Sequence, residues 1–231
     1  MYIKNKMASI VWKLAIIAFG TWGLLDGASI LAGHYDTNFP HMFTNISNLF
    51  AWGYFACAVA WLLPRRNDEH ARTFAPVAKY TATVSLLVTM LIAHFIMFDT
   101  LVQNGQVVLH LVILHYIVPI MTLLDWIFFD EKGSMPVWGP FAWLSLVLTY
   151  LVVVMVGCGA FGLFLGGGTT ADISRYPYTF LDPAISGVGG VATFCGAMVV
   201  AFVVLGFVLY ASDHLMARFG GEHGTAHAGR A

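Results

Sequence analysis

Residues 107–129 read VVLHLVILHYIVPIMTLLDWIFF, a run with no lysine or arginine and a single acid, Asp125. An α-helix rises 1.5 Å per residue, so this run covers about 35 Å, enough for the hydrocarbon core of a bilayer. The segment therefore predicts a membrane-spanning helix. Pro119 predicts a local loosening in it, because proline has no N–H to offer the carbonyl four residues back, that of His115.

Five further runs of the same character flank it: 10–32, 42–63, 77–98, 137–165 and 186–211. Each is long enough to span. Between them lie turn and cap residues: 33–40, Pro64-Arg65-Arg66, Gln103-Asn104-Gly105, Gly133 to Pro136, and Gly166-Gly167-Gly168 onward to Pro183. The fold expected is all-α, a polytopic integral membrane protein whose six-helix transmembrane bundle makes residues 1–231 one membrane domain. Residues 212–231 are expected to form a flexible cytoplasmic tail, with His223 and His227 as tail residues and not metal ligands. Run 10–32 exceeds a signal-peptide apolar region and lacks a clear small-residue cleavage site, so it reads as the first span.

Composition agrees. The chain is 59% hydrophobic and 10% charged, against about a quarter charged in soluble domains. A net charge of -1 leaves no basic excess for a phosphate backbone, so nucleic acid is excluded as a partner. Cys57, Cys158 and Cys195 lie inside apolar runs without paired spacing and read as small buried hydrophobes. Gly23-xxx-Gly27 and Gly162-xxx-Gly166 read as close-packing sites without a functional role.

Cytoplasmic loops near span ends retain lysine and arginine. With the N-terminus inside, ten of the eleven fall on that side: Lys4, Lys6, Lys13, Arg65, Arg66, Arg72, Lys79, Lys132, Arg218 and Arg230, leaving Arg175 outside. Both termini are expected to be cytoplasmic, in the cell (inner) membrane.

Ionisable and hydrogen-bonding groups are costly in a span and usually face the bundle interior or a wet cavity. Here they cluster toward the non-cytoplasmic half: Asp26, then Thr44, Asn45, Ser47 and Asn48, then His94, Asp99, His110 and His115, with Tyr176, Tyr178 and Asp182 in the last external loop. An outward-facing polar cavity would collect them. Thr44, Ser47 and Asn48 share one helix face. An equally good structural account exists, in which hydroxyls bond carbonyls one turn back and asparagines lock neighbouring helices. His110 and His115 stand about 140° apart on an α-helix, so the two cannot both address one site. If the fourth span starts at Val107, His115 lies about 12 Å below that end and Thr44 about 6 Å below Pro40, a difference that helix tilt has to close. Asp125 beside Trp126 is expected to meet cytoplasmic water. Asp182 with Pro183 can cap the last span, and the aromatic segment before it can form a lid.

Three stretches carry a resemblance: Phe43-Thr44-Asn45-Ile46-Ser47-Asn48, His115-Tyr116-Ile117-Val118-Pro119 running into Leu124-Asp125-Trp126, and Tyr176-Pro177-Tyr178-Thr179-Phe180-Leu181-Asp182. In order and type they resemble the androgen-induced protein family of multispan membrane hydrolases and its bacterial six-span relatives. Pro119 follows the histidine one residue closer than in the animal proteins, and the last stretch is lengthened by insertion. Animal members are threonine hydrolases that cleave fatty acid esters of hydroxy fatty acids with one intramembrane Thr and one intramembrane His. The resemblance implies Thr44 as nucleophile and His115 as base, with a lipid-like ester as substrate, membrane lipid as surroundings and no cofactor. A threonine hydroxyl needs an adjacent base to act as a nucleophile. Asn45 or Asn48 is expected to donate to the oxyanion, and Asp99 or Asp182 to orient the histidine.

Two other classes compete. His94 and His110, at similar depth in adjacent spans, suit a haem or metal-binding electron carrier. A polar cavity continuing to Asp125 would instead suit a transporter of small solutes.

Overall fold

The first helix, α1 (Lys6–Gly27), starts where the Asn5 side chain accepts the Ala8 N–H at 3.0 Å, satisfying one of the amides that a helix start leaves without a partner. The structure is a computed structural model and describes residues 3, 5–65, 73–103, 106–163, 165–166 and 174–225. Lys4, Arg66, Arg72, Arg230, His227, the turn at 104–105, the glycines at 167–168 and the side chain of His223 lie outside the described residues.

Six helices are long and apolar enough to cross a membrane: α1, α2 (Phe43–Arg65), α3 (Pro76–Phe95), α4 (Leu109–Phe129), α5 (Gly139–Gly159) and α6 (Pro183–Phe219). The chain is an integral membrane protein with an all-α bundle. Each helix overlaps the run that predicts it, although α5 ends at Gly159 and α6 runs on past Ala211. A small antiparallel hairpin, Val102–Gln103 with Gln106–Val107, joins α3 to α4.

The α3 helix is the hub, with 67% of its most apolar stretch buried, against 17% for α6. One side of it packs with α1, α2 and α4 around Ile16, Phe55, Leu86, Ile113 and Val118. The other side packs with α5 and α6 around Tyr80, Trp126, Trp143 and Phe202. Three of its buried threonine hydroxyls bond within the helix, Thr81 donating to the Val77 carbonyl, Thr83 to Lys79 and Thr89 to Ser85. This back-bonding lets a polar residue sit in a lipid-embedded core. Gly23 brings α1 against α4, since a Cβ there would lie 2.8 Å from Leu114 Cδ2.

At the end of the bundle where α1 begins, Asp125 is not in water as its position beside Trp126 led us to expect. It is 0% exposed. Lys13 Nζ donates to both of its oxygens, at 2.9 and 3.1 Å, and Lys79 Nζ donates to Oδ2. Lys79 also lies 3.9 Å from Asp130. The two buried lysines and two buried aspartates balance in charge, which is the condition for burying ions at tolerable cost. These lysines are therefore interior residues of α1 and α3 that tie both helices to α4.

Two further expectations are corrected. Of the residues expected to form a flexible tail, 212–225 continue the helix, while 226–231 lie outside the described residues. Asp213 is buried there and accepts from the Tyr80 hydroxyl at 2.6 Å and the Gly133 N–H at 2.8 Å. Those bonds dock the helix on the α4–α5 connection. Cys57 is exposed on α2, not buried, which costs a thiol little against hydrocarbon.

Candidate active site

Thr44 lies in the first turn of α2 and His115 in the second turn of α4, and Thr44 Oγ1 stands 3.1 Å from His115 Nε2. The difference in depth estimated from the span ends does not separate them. The start of α2 lies level with the second turn of α4, because the chain between α1 and α2 uses 3₁₀ turns at Ile30–Ala32 and Phe39–His41 before the helix begins. Pro40 therefore sits in the second of these turns, ahead of the first turn of α2.

The histidine's protonation pattern follows from its other contact. His115 Nδ1 is 2.8 Å from the Leu111 carbonyl, and a carbonyl can only accept, so Nδ1 carries the proton. In the neutral ring Nε2 is then a bare lone pair, and the Thr44 hydroxyl donates to it. The group that orients the imidazole is a backbone carbonyl of its own helix. Asp99 is exposed, and the two oxygens of Asp182 accept from Ser174 Oγ at 2.7 Å and from the Ala184 N–H at 2.8 Å. Asp182 caps α6 and does not orient a histidine.

The loosening expected near Pro119 is one turn of π-helix, Ile113–Ile117, in which the Val118 N–H donates to the Ile113 carbonyl five residues back. In that register Pro119 would serve Leu114, and it has no N–H. Asn48 supplies the donor: its Nδ2 lies 3.0 Å from the Leu114 carbonyl and 2.8 Å from the Thr44 carbonyl. One carboxamide thus clamps the residue before His115 to the turn that carries Thr44. Sequence reasoning gave Asn48 an oxyanion role that this geometry precludes, because both amide protons are engaged. Asn45 Nδ2 gives one of its two protons to the Phe39 carbonyl at 2.8 Å and is not on the wall of the cavity beside Thr44. Ser47 bonds the Thr44 carbonyl and Thr89 Oγ1, each at 3.0 Å.

Beside the Thr44–His115 pair lies a cavity of about 690 Å³, its open mouth included. Ile92 and Ala93 of α3, Val147 and Leu151 of α5, and Met198 and Phe202 of α6 form its apolar wall. Thr44, Thr89, His115, Tyr150 and Tyr178 bring polar groups to it, the Tyr150 hydroxyl donating to the His41 carbonyl at 2.9 Å. A mainly apolar wall with a few convergent polar groups is the make-up of a small-molecule site. The wall stops short of Asp125.

The remaining residues expected at the site lie elsewhere. His110 Nδ1 is 2.9 Å from Asp26 Oδ2, tying α4 to α1. His94 is exposed, with Nδ1 3.3 Å from the Tyr116 hydroxyl. Each histidine has its own neighbour, and among the described residues no group of three or more His, Cys, Asp or Glu side chains gathers as a metal site. Tyr176 is buried, its hydroxyl close to Gly159 of α5, and is not on the cavity wall. Tyr178 is on the wall, and its hydroxyl accepts the Phe43 N–H at 3.1 Å. Comparison with family models, curated proteins and solved structures returns no match for this chain.

Proposed function

We propose that the protein is an intramembrane lipid-ester hydrolase in which Thr44 is the nucleophile and His115 its base. One observation carries the reading. The Thr44 hydroxyl lies 3.1 Å from an imidazole nitrogen that the Leu111 carbonyl keeps in the accepting tautomer. That is the arrangement of an activated hydroxyl nucleophile. The apolar cavity beside it suits an acyl chain, whose burial contributes about 0.8 kcal/mol per methylene. The same assignment is what the resemblance to the androgen-induced protein family implies.

In the first half-reaction the Thr44 oxygen adds to the ester carbonyl carbon, its proton passes to His115 Nε2, and the carbonyl π pair moves onto oxygen. Collapse of this intermediate restores the carbonyl and expels the alcohol, which takes the proton from His115. Water then adds to the acyl-Thr44 ester with His115 as base. The acid departs, and Thr44 recovers its proton from His115. The charge asymmetry of the loops favours a cytoplasmic lysine end and an opposite, site-bearing end. There water can reach the acyl-enzyme while the chain stays in hydrocarbon.

The test is turnover of p-nitrophenyl decanoate by the purified protein and by Thr44→Ala, His115→Ala and the double variant. Each single variant loses most turnover, and the double loses little more, since nucleophile and base act as a unit. Wild-type turnover by Thr44→Ala would contradict the assignment.

A further inference from the structure

We propose that Tyr178 is a third catalytic residue, the hydrogen-bond donor to the oxyanion formed when Thr44 adds to an ester; this rests on the hydrolase reading above.

The need for such a donor is chemical. The tetrahedral intermediate carries a full negative charge on the former carbonyl oxygen, and a lipid-lined cavity offers it no solvent. A pre-aimed donor is commonly the largest single contribution in acyl transfer.

A survey of the donors near Thr44 leaves one group. The Asn48 carboxamide gives both protons to backbone carbonyls, and that of Asn45 gives one to Phe39 and is not on the cavity wall. The Thr89 hydroxyl donates to the Ser85 carbonyl. At the start of α2 the N–H of Asn45 and of Ile46 both return to the Met42 carbonyl, and those of Phe43 and Thr44 address the Tyr178 oxygen. The His115 Nδ1 proton is held by Leu111.

Tyr178 differs from all of these. Its oxygen accepts the Phe43 N–H at 3.1 Å and is in hydrogen-bonding contact with Thr44. A phenol has one proton, and a group that accepts from backbone amide still has that proton to give. The Thr44 hydroxyl gives its own proton to His115. When the Thr44 oxygen adds to an ester, the oxyanion on the adjacent carbon forms in the cavity whose wall Tyr178 shares with Thr44 and His115, and the phenol proton is the donor left to serve it. No bond to the phenol breaks, and the electron and proton balance is that of the hydrolytic cycle above.

The ring is held for this work. It stacks on Phe180 at 5.0 Å with planes 9° apart, and Phe180 packs on Phe194 of α6 at 4.5 Å. The segment that carries it is pinned on both sides, by Ser174 to Asp182 and by the Asp182 cap on α6. Burial raises the phenol's pKa above its ordinary value, which keeps the donor protonated at neutral pH.

The experiment measures kcat and KM for p-nitrophenyl decanoate with full-length wild type, Thr44→Ala, Tyr178→Phe and Tyr178→3-fluorotyrosine. Tyr178→Phe is expected to lower kcat by about a hundredfold with KM changed less than about threefold, as for removal of an oxyanion donor. The fluorinated phenol keeps the oxygen that receives the Phe43 N–H. It is expected to keep most of kcat and to lose it at lower pH than wild type, because its phenol is more acidic. This readout stands even if Tyr178→Phe folds poorly. An active wild type and dead Thr44→Ala with Tyr178→Phe at full kcat, or with a pH profile indifferent to fluorination, overturns the Tyr178 role alone. A wild type without turnover overturns the hydrolase reading and this role with it.

Discussion

The Asn48 carboxamide donates to the Leu114 carbonyl at 3.0 Å, across the contact of α2 and α4 and one residue before the histidine that meets Thr44. A buried carbonyl orphaned by a π-turn and a proline thereby finds a partner on the helix that carries Thr44. Replacing Asn48 by leucine removes that donor. A buried unsatisfied carbonyl costs about 1–3 kcal/mol, so the variant is expected to unfold more easily by that amount. Turnover should fall by at least about tenfold, because small misplacements of reacting groups are amplified in rate. Equilibrium unfolding in detergent and steady-state kinetics on the same preparation check both.

The buried pair of lysines around Asp125 makes a stability prediction. In Asp125→Asn, Lys13 and Lys79 lose the carboxylate they share, and breaking a buried ion pair by removing one partner costs about 3–5 kcal/mol. Combining Asp125→Asn with Lys79→Met should recover part of the loss. An Asp125→Asn protein as stable as wild type would mean that these charges are not held as the structure shows.

Tyr178 sets a pH prediction. Its pKa is raised by burial, so the donor form persists above the ordinary phenol value of about 10. Its ionisation removes activity only beyond that point as pH rises. Wild-type kcat should therefore show no alkaline loss below about pH 9 that Tyr178→Phe lacks. A limb there that vanishes in the variant would contradict the protonated-donor role.

Orientation is testable separately. In a background with Cys57, Cys158 and Cys195 replaced, a cysteine at Thr37 should react with an impermeant maleimide in intact cells. One at Ser134, beyond the opposite end of α4, should react only after permeabilisation. The reverse pattern would place the Thr44 end in the cytoplasm.

The spans were legible because lipid imposes one simple demand, about twenty apolar residues in a row, and 107–129 meets it without ambiguity. Thr44 and His115 were legible as costly polar groups in apolar runs. Their partners were not. Asn48 reads equally as a site donor or a helix lock, and only the π-turn, which shifts the unmet carbonyl to Leu114, decides for the lock. The Leu111 carbonyl has no side-chain signature, so the orienting group was sought among aspartates. Asp125 misled because proximity to an interfacial tryptophan suggests water, whereas Lys13 and Lys79, one helix away on each side, neutralise it in the interior. Asp213 misled for the same reason: its partners, Tyr80 and Gly133, are distant in sequence, and the polar end of α6 resembles a tail until they are known.

The central claim is that Thr44 is the nucleophile, and the most direct measurement is the position of a covalent adduct. The purified protein is treated with a decyl fluorophosphonate, digested, and the modified residue mapped by mass spectrometry. A single phosphonylated residue is expected, Thr44, with labelling much slowed in His115→Ala. An adduct on any other residue, or none under conditions in which the ester is hydrolysed, would contradict the mechanism.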